Sequence, residues 1–490
     1  MNLPFKPVIL TTDALIFVLF AVVAVSAWYI SRHQHLLAPW KKVARSRSGM
    51  IAAMILFAFV TVGFLDSLHF RPRLAGDAAP GKTNYAVDVM SVFDLIAAPL
   101  KSKQEKTYSA PLSAYLFAKE TVELPDGTEA RVFPRLTHGG SHLKDPEHER
   151  MTDIVKRSVG GVAIAVMMWN VLLLCVTFWL SHWSGRSVRE TWSAIWKGDT
   201  EVPWREMLVA NGLLFLVAVP MIVLSARYHV LGTDKVGQDV FYLTLKSIRT
   251  GLVIGTLTTL VMLPFALLLG ILAGYLRGWV DDVIQYLYTT LNSIPGVLLI
   301  AASVLILQGV IDRHQDWFQT ASERADARLF LLCMILGVTS WTGLCRLLRG
   351  ESLKLRELEY IQAARAFGVS DFRIISRHIL PNVMHIVLIA VVMDFSGLIL
   401  AEAVLSYVGV GVDPTMNSFG TMINAARMEM ARDPMVWWSL ASAFAFMLLL
   451  VLSANLFADA VRDAFDPRIR GRMIMPGFLS KYLPAVPGAK

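Results

Sequence analysis

Charge is scarce in this sequence. Asp, Glu, Lys and Arg make up 17% of its 490 residues, where a soluble domain carries about 25%. Cysteine is nearly absent as well. Cys175, Cys333 and Cys345 fall in apolar stretches with no metal or redox spacing, so packing is their expected role. No internal repeat and no low-complexity tract is present, and no catalytic cluster gathers at one level of the chain. One short stretch, GDAAPGKT from Gly76 to Thr83, spells a phosphate-binding loop. It lacks the context that loop needs, a buried strand before it and a helix after it. The preceding SLHFRPRLA holds Pro72 and two arginines, and no LSGG-like signature occurs anywhere. The VVMD that ends at Asp394 has the spelling of an Mg²⁺-holding strand, but it sits inside an apolar block. The motif is therefore expected to be a coincidence.

What the sequence has in abundance is apolar residues, 55% of the total, at a mean hydropathy of +0.52. They come in nine blocks, at 13–30, 49–65, 159–180, 206–226, 251–276, 283–308, 329–349, 383–405 and 436–458. About 20 apolar residues cross a bilayer as a helix. The expected fold class is an all-α polytopic membrane protein with about nine transmembrane helices. Block 13–30 lacks the basic start and small-residue cleavage site of a signal peptide, so it is kept as a helix.

The net charge of +8 reports topology rather than nucleic acid. Arg32, Lys41, Lys42, Arg45 and Arg47 lie between the first two blocks. Lys354, Arg356, Arg365, Arg373 and Arg377 crowd loop 350–382, and Arg462, Arg468, Arg470 and Arg472 mark the tail, whereas loop 406–435 has only Arg427 and Arg432. Basic loops inside give one alternation: N-terminus outside, C-terminus in the cytoplasm, and segments 66–157, 227–250, 309–328 and 406–435 outside. The expected organisation is N-terminal membrane helices 1–65, a soluble outer insert 66–157, an extra helix with a Trp-rich interfacial segment 158–205, a C-terminal transmembrane domain 206–466 and a cytoplasmic tail 467–490. Within the insert, PDGTEARVFP (125–134) predicts a small hairpin. Pro264 and Pro295 sit inside apolar blocks, where packing kinks are expected rather than hinges.

Loop 350–382 reads ESLKLRELEYIQAARAFGVSDFRIISRHILPNV and is too polar to enter the bilayer. Tyr360, Ala363, Ala364 and Phe367 recur as one helix face, Gly368 permits a reversal, and a second amphipathic stretch ends at Leu380 and Pro381. The small alanines leave room for another protein; lipid contact is the bland alternative. This pattern resembles the EAA loop of permease subunits in bacterial ATP-binding-cassette importers. Gln362 stands where that family has Glu, and His378 where it has Ile. HVLGTDKVGQDV (229–240), AGYLRGWVDD (273–282), EAVLSYVGVGVDP (402–414) and NLFADAVRDAFDPR (455–468) resemble further segments of the second permease in the dipeptide, oligopeptide and nickel branch. Block 49–65 and block 206–226 both remain open as the counterpart of that subunit's first helix.

The resemblance implies a type I importer core in the C-terminal half, in a bacterial inner membrane. It implies as partners a second permease subunit, two cytoplasmic ATPases that carry ATP and Mg²⁺, and an extracytoplasmic substrate-binding protein. This chain would bind no cofactor and catalyse nothing. Tyr360, Gln362, Ala363, Ala364, Phe367, Gly368, Leu380 and Pro381 are the expected coupling contacts. Di- and oligopeptides are the implied solutes, with nickel chelates and peptide antibiotics as alternatives; an ion-coupled carrier or a membrane-anchored NTPase fits less well. Asp394 and Glu402, eight residues apart in one apolar block, are candidates for the pathway or for a helix-pairing role. His138, His142 and His148, with Asp145 and Glu147, form a weak candidate for Zn²⁺ or Ni²⁺, but their spacing favours a solvated loop.

Overall fold

The computed structural model describes residues 5–73, 85–123, 129–318 and 320–465. GDAAPGKT and the tail 467–490 lie outside the described residues. The chain opens with β1 (Phe5–Val8), α1 (Thr11–Arg32), the amphipathic α2 (Gln34–Arg45) and α3 (Arg47–Ser67). β2 (His69–Pro72) and β3 (Met90–Ser91) join β1 in an antiparallel sheet of order β1-β2-β3. The insert continues with the short helices α4 (Val92–Ile96) and α5 (Ala98–Lys101) and a hairpin of β4 (Glu120–Glu123) and β5 (Glu129–Val132). The hairpin expected at 125–134 is thus present, with its first strand just upstream and part of its turn outside the described residues.

α6 (Pro146–Ser184), α7 (Val188–Lys197) and α8 (Trp204–Ser225) follow. The remainder is α9 (Val240–Leu276), α10 (Trp279–Ser293), α11 (Gly296–Arg313), α12 (Ala321–Ser340), α13 (Thr342–Arg356), α14 (Glu359–Ala366), α15 (Asp371–Ile374), α16 (Leu380–Val408), α17 (Phe419–Glu429) and α18 (Trp438–Phe465). Among the described residues, nine helical stretches are long and apolar enough to cross a membrane, and each coincides with one of the nine apolar blocks. The protein is an all-α multi-pass membrane protein.

One block needs a correction. Residues 283–308 do not form a single helix: α10 stops at Ser293 and α11 begins at Gly296. Proline disfavours helical geometry in the residue before it, and Ile294 is indeed extended, at φ −92° and ψ 132°. The spanning helix is therefore α11, about 27 Å long at 1.5 Å per residue, and α10 is a separate amphipathic helix. Pro264, by contrast, lies within an uninterrupted α9.

α3 packs along α9 and α18, whereas α8 pairs with α6 at the side of the bundle. Gly63 makes the first contact close, because a Cβ there would lie 2.6 Å from Leu252 of α9. The loops sort to two ends. At one end, Asp13, His69, Arg249 and Asp326 meet, and the insert rests on residues 228–239. At the other, Lys42 reaches the Asp463 carbonyl, Arg47 pairs with Glu206, and Arg277 pairs with Glu357. These two groups are the loop sets that the charge alternation separates.

Candidate functional site

α14 is a helix of eight residues, too short to persist alone. It is held from one side. Ile361 is fully buried, and with Ala364, Val369, Ile374 and Ile379 it enters an apolar cluster built on Tyr275, Leu348 and Val383. The sequence stripe found the helix but not this anchor. Tyr360, Gln362, Ala363 and Phe367 face outward, while Ala364 belongs partly to the seam. Phe367 is 88% exposed and Phe372, which the sequence reading passed over, is 82% exposed. Both rings stand bare beside the polar side chains of this loop.

Gly368 ends α14 in the left-handed region, φ +73°, with open space around its Cα. The return limb passes through one π-helical turn, Ile375–Ile379, before α16 starts at Leu380 and Pro381. Pro381 has no N–H to give the helix, and insertions of this kind accommodate such a defect. The Asn382 side-chain amide donates to the His378 carbonyl at 2.7 Å and to the Tyr360 hydroxyl at 3.3 Å, tying the two limbs together.

The segment AGYLRGWVDD supports the loop from below. The Tyr275 hydroxyl donates to Asp371 at 2.6 Å, Arg277 pairs with Glu357 at 2.5 Å, and Arg349 grips Asp281 with two bonds of 2.6 and 2.7 Å. The Arg349 bonds hold the Asp281 carboxyl below the usual carboxylate range. Gln362, where the family has Glu, donates to the Glu357 carbonyl at 3.1 Å.

Asp394 and Glu402 are not brought together. Eight residues leave about 80° of rotation between them. Asp394 lines a cleft of about 670 Å³ between α12–α13, the N-terminal half of α16 and the end of α18. Glu402 is enclosed at the other end, where the Ser406 and Ser418 hydroxyls donate to it at 2.6 and 2.9 Å. It ties α16 to the start of α17. The histidines also separate: His142 bonds Asp153 at 2.8 Å and His148 bonds Asp145 at 2.8 Å. Among the described residues no group of three His, Cys, Asp or Glu side chains is arranged to hold a metal ion.

The end of the bundle opposite α14 holds an ionic network that sequence reasoning missed. Arg249, 6% exposed, reaches Asp13 at 2.5 Å, the Thr12 hydroxyl at 3.2 Å and Ser67 at 3.3 Å, with Asp326 at 3.7 Å. Lys246 bridges Asp66 at 2.6 Å and Asp94 at 3.0 Å. Burial alone would push the Asp94 carboxyl up, but Lys246, Lys101 and the Tyr242 hydroxyl hold it at about 2. Beside it, His229 lies between Asp239 at 2.7 Å and Glu105 at 3.4 Å. Burial works against its charge, yet the two carboxylates raise its pKa. Glu105 also accepts from the backbone N–H groups of Thr137, His138 and Gly139. Burial opposes its ionisation too, and the hydrogen bonds from His229, from Thr137 and from the His138 N–H hold it well below the carboxylate range.

Known proteins are similar to this chain in sequence. Residues 266–471 match the family described as "Binding-protein-dependent transport system inner membrane component". The glutathione transport system permease protein GsiD of Pectobacterium atrosepticum is 31% identical over 324 residues, covering 59% of this chain and all of that protein. The oligopeptide permease protein OppC of Mycobacterium bovis is 33% identical over 242 residues, covering 49% of this chain and 77% of its own length. The dipeptide permease protein DppC of Bacillus subtilis is 29% identical, at 49% and 69% coverage. A chain of the inward-facing MetNI methionine transporter aligns at 14% identity and a TM-score of 0.36, over 46% of this chain and 98% of its own, too distant to add to the argument. With its nine apolar spans and the exposed loop between α13 and α16, this chain belongs to the family of inner-membrane components of binding-protein-dependent transport systems, as a permease of an ATP-binding-cassette importer.

Proposed function

We propose that the chain forms half of the membrane pathway of a peptide importer, beside a second permease, and is driven by two ATPases that seat on α14. The observation that carries this reading is the construction of α14. Ile361 and Ala364 fix it to the bundle, while Tyr360, Gln362, Ala363, Phe367 and Gly368 are presented outward with no partner surface on them. Leu380 and Pro381 join that surface directly to the spanning helix α16. ATP acts by favouring one of two states of the bundle, and it shifts the balance only as far as it binds one state more tightly.

The basic loops assign the α14 end to the cytoplasm, which puts the N-terminus, the insert and GDAAPGKT outside. ATP and Mg²⁺ then belong to the partner subunits, and the solute arrives from an external binding protein that docks at the insert. Peptides are the solute class because glutathione, oligopeptides and dipeptides are named for the relatives. α3 takes the place of the family's first helix, since it packs on α9 and α18, and α6 with α8 form a lateral addition. Asp394 lies on the pathway, at the cleft. Glu402 acts as an internal strut.

Affinity purification of the tagged chain from its native membrane tests the assembly. Two ATPases and a second permease are expected to co-purify. Recovery of the chain alone, hydrolysing ATP by itself, would overturn the proposal.

A further inference from the structure

The cleft beside Asp394 contains four charged or titratable side chains, and two of them are already occupied. Glu351 accepts from Lys354 at 3.2 Å, and His385 Nδ1 meets the Asn382 carbonyl at 2.8 Å. Asp394 and Arg462 line the same cleft, and neither has a hydrogen bond or ion pair among the described residues. A bare carboxylate in a spanning helix is costly and is retained where something pairs with it. Here one unpaired anion and one unpaired cation share one cleft.

Their spacing follows from the packing. α16 and α18 run antiparallel and are pinned together where the Ser396 hydroxyl donates to Asn455 at 2.6 Å. Asp394 lies two residues, and Arg462 seven residues, towards the α14 end from that contact. At 1.5 Å per residue the two positions are offset by about 7.5 Å along the bundle. An extended dipeptide spans about 7 Å from end to end. The cleft volume of about 670 Å³ is in the range of small-molecule sites.

We propose that this cleft is a zwitterion subsite: Asp394 accepts the ammonium and Arg462 the carboxylate of a short peptide, the second end lying nearer the cytoplasmic mouth. The inference rests on the peptide reading above and narrows it to solutes of about two residues with both ends free.

The test uses the complete complex of both permeases and both ATPases in nanodiscs, without binding protein and without ATP. Ser340 lines the cleft, and Ser340→Cys in a Cys175→Ser background reports its occupancy by the rate of alkylation. Ala-Ala is expected to slow alkylation about tenfold, and N-acetyl-Ala-Ala-amide is not, because a site built for a charged end rejects the blocked one. Adding Asp394→Asn or Arg462→Gln should abolish the protection, while Asp394→Glu, which keeps the charge, should retain part of it. Equal protection by free and blocked peptide would overturn the subsite, and so would full protection in both neutral variants. The comparison of the two peptides needs no substitution at Asp394, so a variant that fails to assemble leaves the test intact. Uptake of Ala-Ala by the same complex supplied with its binding protein separates the two levels. Uptake without protection of Ser340→Cys sinks the subsite alone, and absence of any peptide uptake sinks the peptide reading with it.

Discussion

The two ends of this bundle are built in opposite ways. At the end that carries the insert, Asp13, Asp66, Asp94, Asp326, Lys246, Arg249 and His229 are paired, most of them several times over, and almost all are buried. The pairs cross from α1, α3 and the insert to α9 and α12, so elements far apart in sequence are locked into one body. At the α14 end, aromatic rings are shown to solvent, and Asp394 and Arg462 stand in a cleft unpaired among the described residues. One end keeps its interactions for itself. The other leaves them for partners. A folding requirement alone would not produce such an asymmetry, because unsatisfied charge and bare aromatic surface stabilise nothing.

Four tests would sharpen or break this contrast. Gly368→Trp should have the largest effect: uptake lost, while insertion and partner ATP hydrolysis continue. A Cβ at Gly368 would meet nothing within 4 Å, so the proposed docking of the ATPase is where the bulk acts, and Gly368→Asn, which tolerates the left-handed backbone, controls for strain. Wild-type uptake by the Trp variant would remove Gly368 from the contact. At the opposite end, Arg249→Met removes the buried cation between Asp13 and Asp326 and should cost about 3–5 kcal/mol in unfolding experiments. Most of that should return when Asp13→Asn and Asp326→Asn are added; no recovery would mean that the network acts through something other than charge.

The His229 clamp should respond to pH in one direction. Its pKa is raised in the folded state, so its contribution is complete below the unfolded value of about 6.5 and fades as pH rises through the folded value. Glu105 is depressed, so its part fades only in acid well below the usual carboxylate range. Exchange protection of the His138 and Gly139 amides, corrected for intrinsic rate, should therefore weaken on the alkaline side and hold at about pH 5. Weakening at that acid pH instead would contradict the clamp. Smallest of all is Arg45→Ala. Its 3.6 Å pair with Glu201 is largely exposed, and the melting point should move by the equivalent of less than about 1 kcal/mol.

Much of the fold was legible because a bilayer imposes its length on the sequence. Nine apolar blocks became nine spanning stretches, and the basic loops sorted to one end. The error at 283–308 came from treating hydropathy as continuous through Pro295, where backbone chemistry interrupts it. In the candidate site, the small-residue face of α14 was visible, since Tyr360, Ala363 and Phe367 do point outward. Its anchor Ile361 was not, because one residue on an eight-residue helix leaves no period to detect. The outer network was hidden for a different reason. Asp13 and Arg249 are 236 positions apart, and only the packing of α1 on α9 makes them neighbours. Arg462 read as a topological marker near the end of the last span, and its place in the Asp394 cleft required α18 to be set against α16.

α16 has one more consequence. A single unbroken helix carries the junction with the α14 limb at Pro381, the free carboxylate at Asp394 and the buried strut at Glu402. The first and last of these are about 32 Å apart along its axis. With the far end fixed by Ser418 and the near end attached through one π-helical turn, α16 is a lever whose fulcrum is Glu402. Its throw is greatest at the Pro381 junction and smaller at the level of Asp394, so a modest tilt at the α14 end is enough to change what that carboxylate faces.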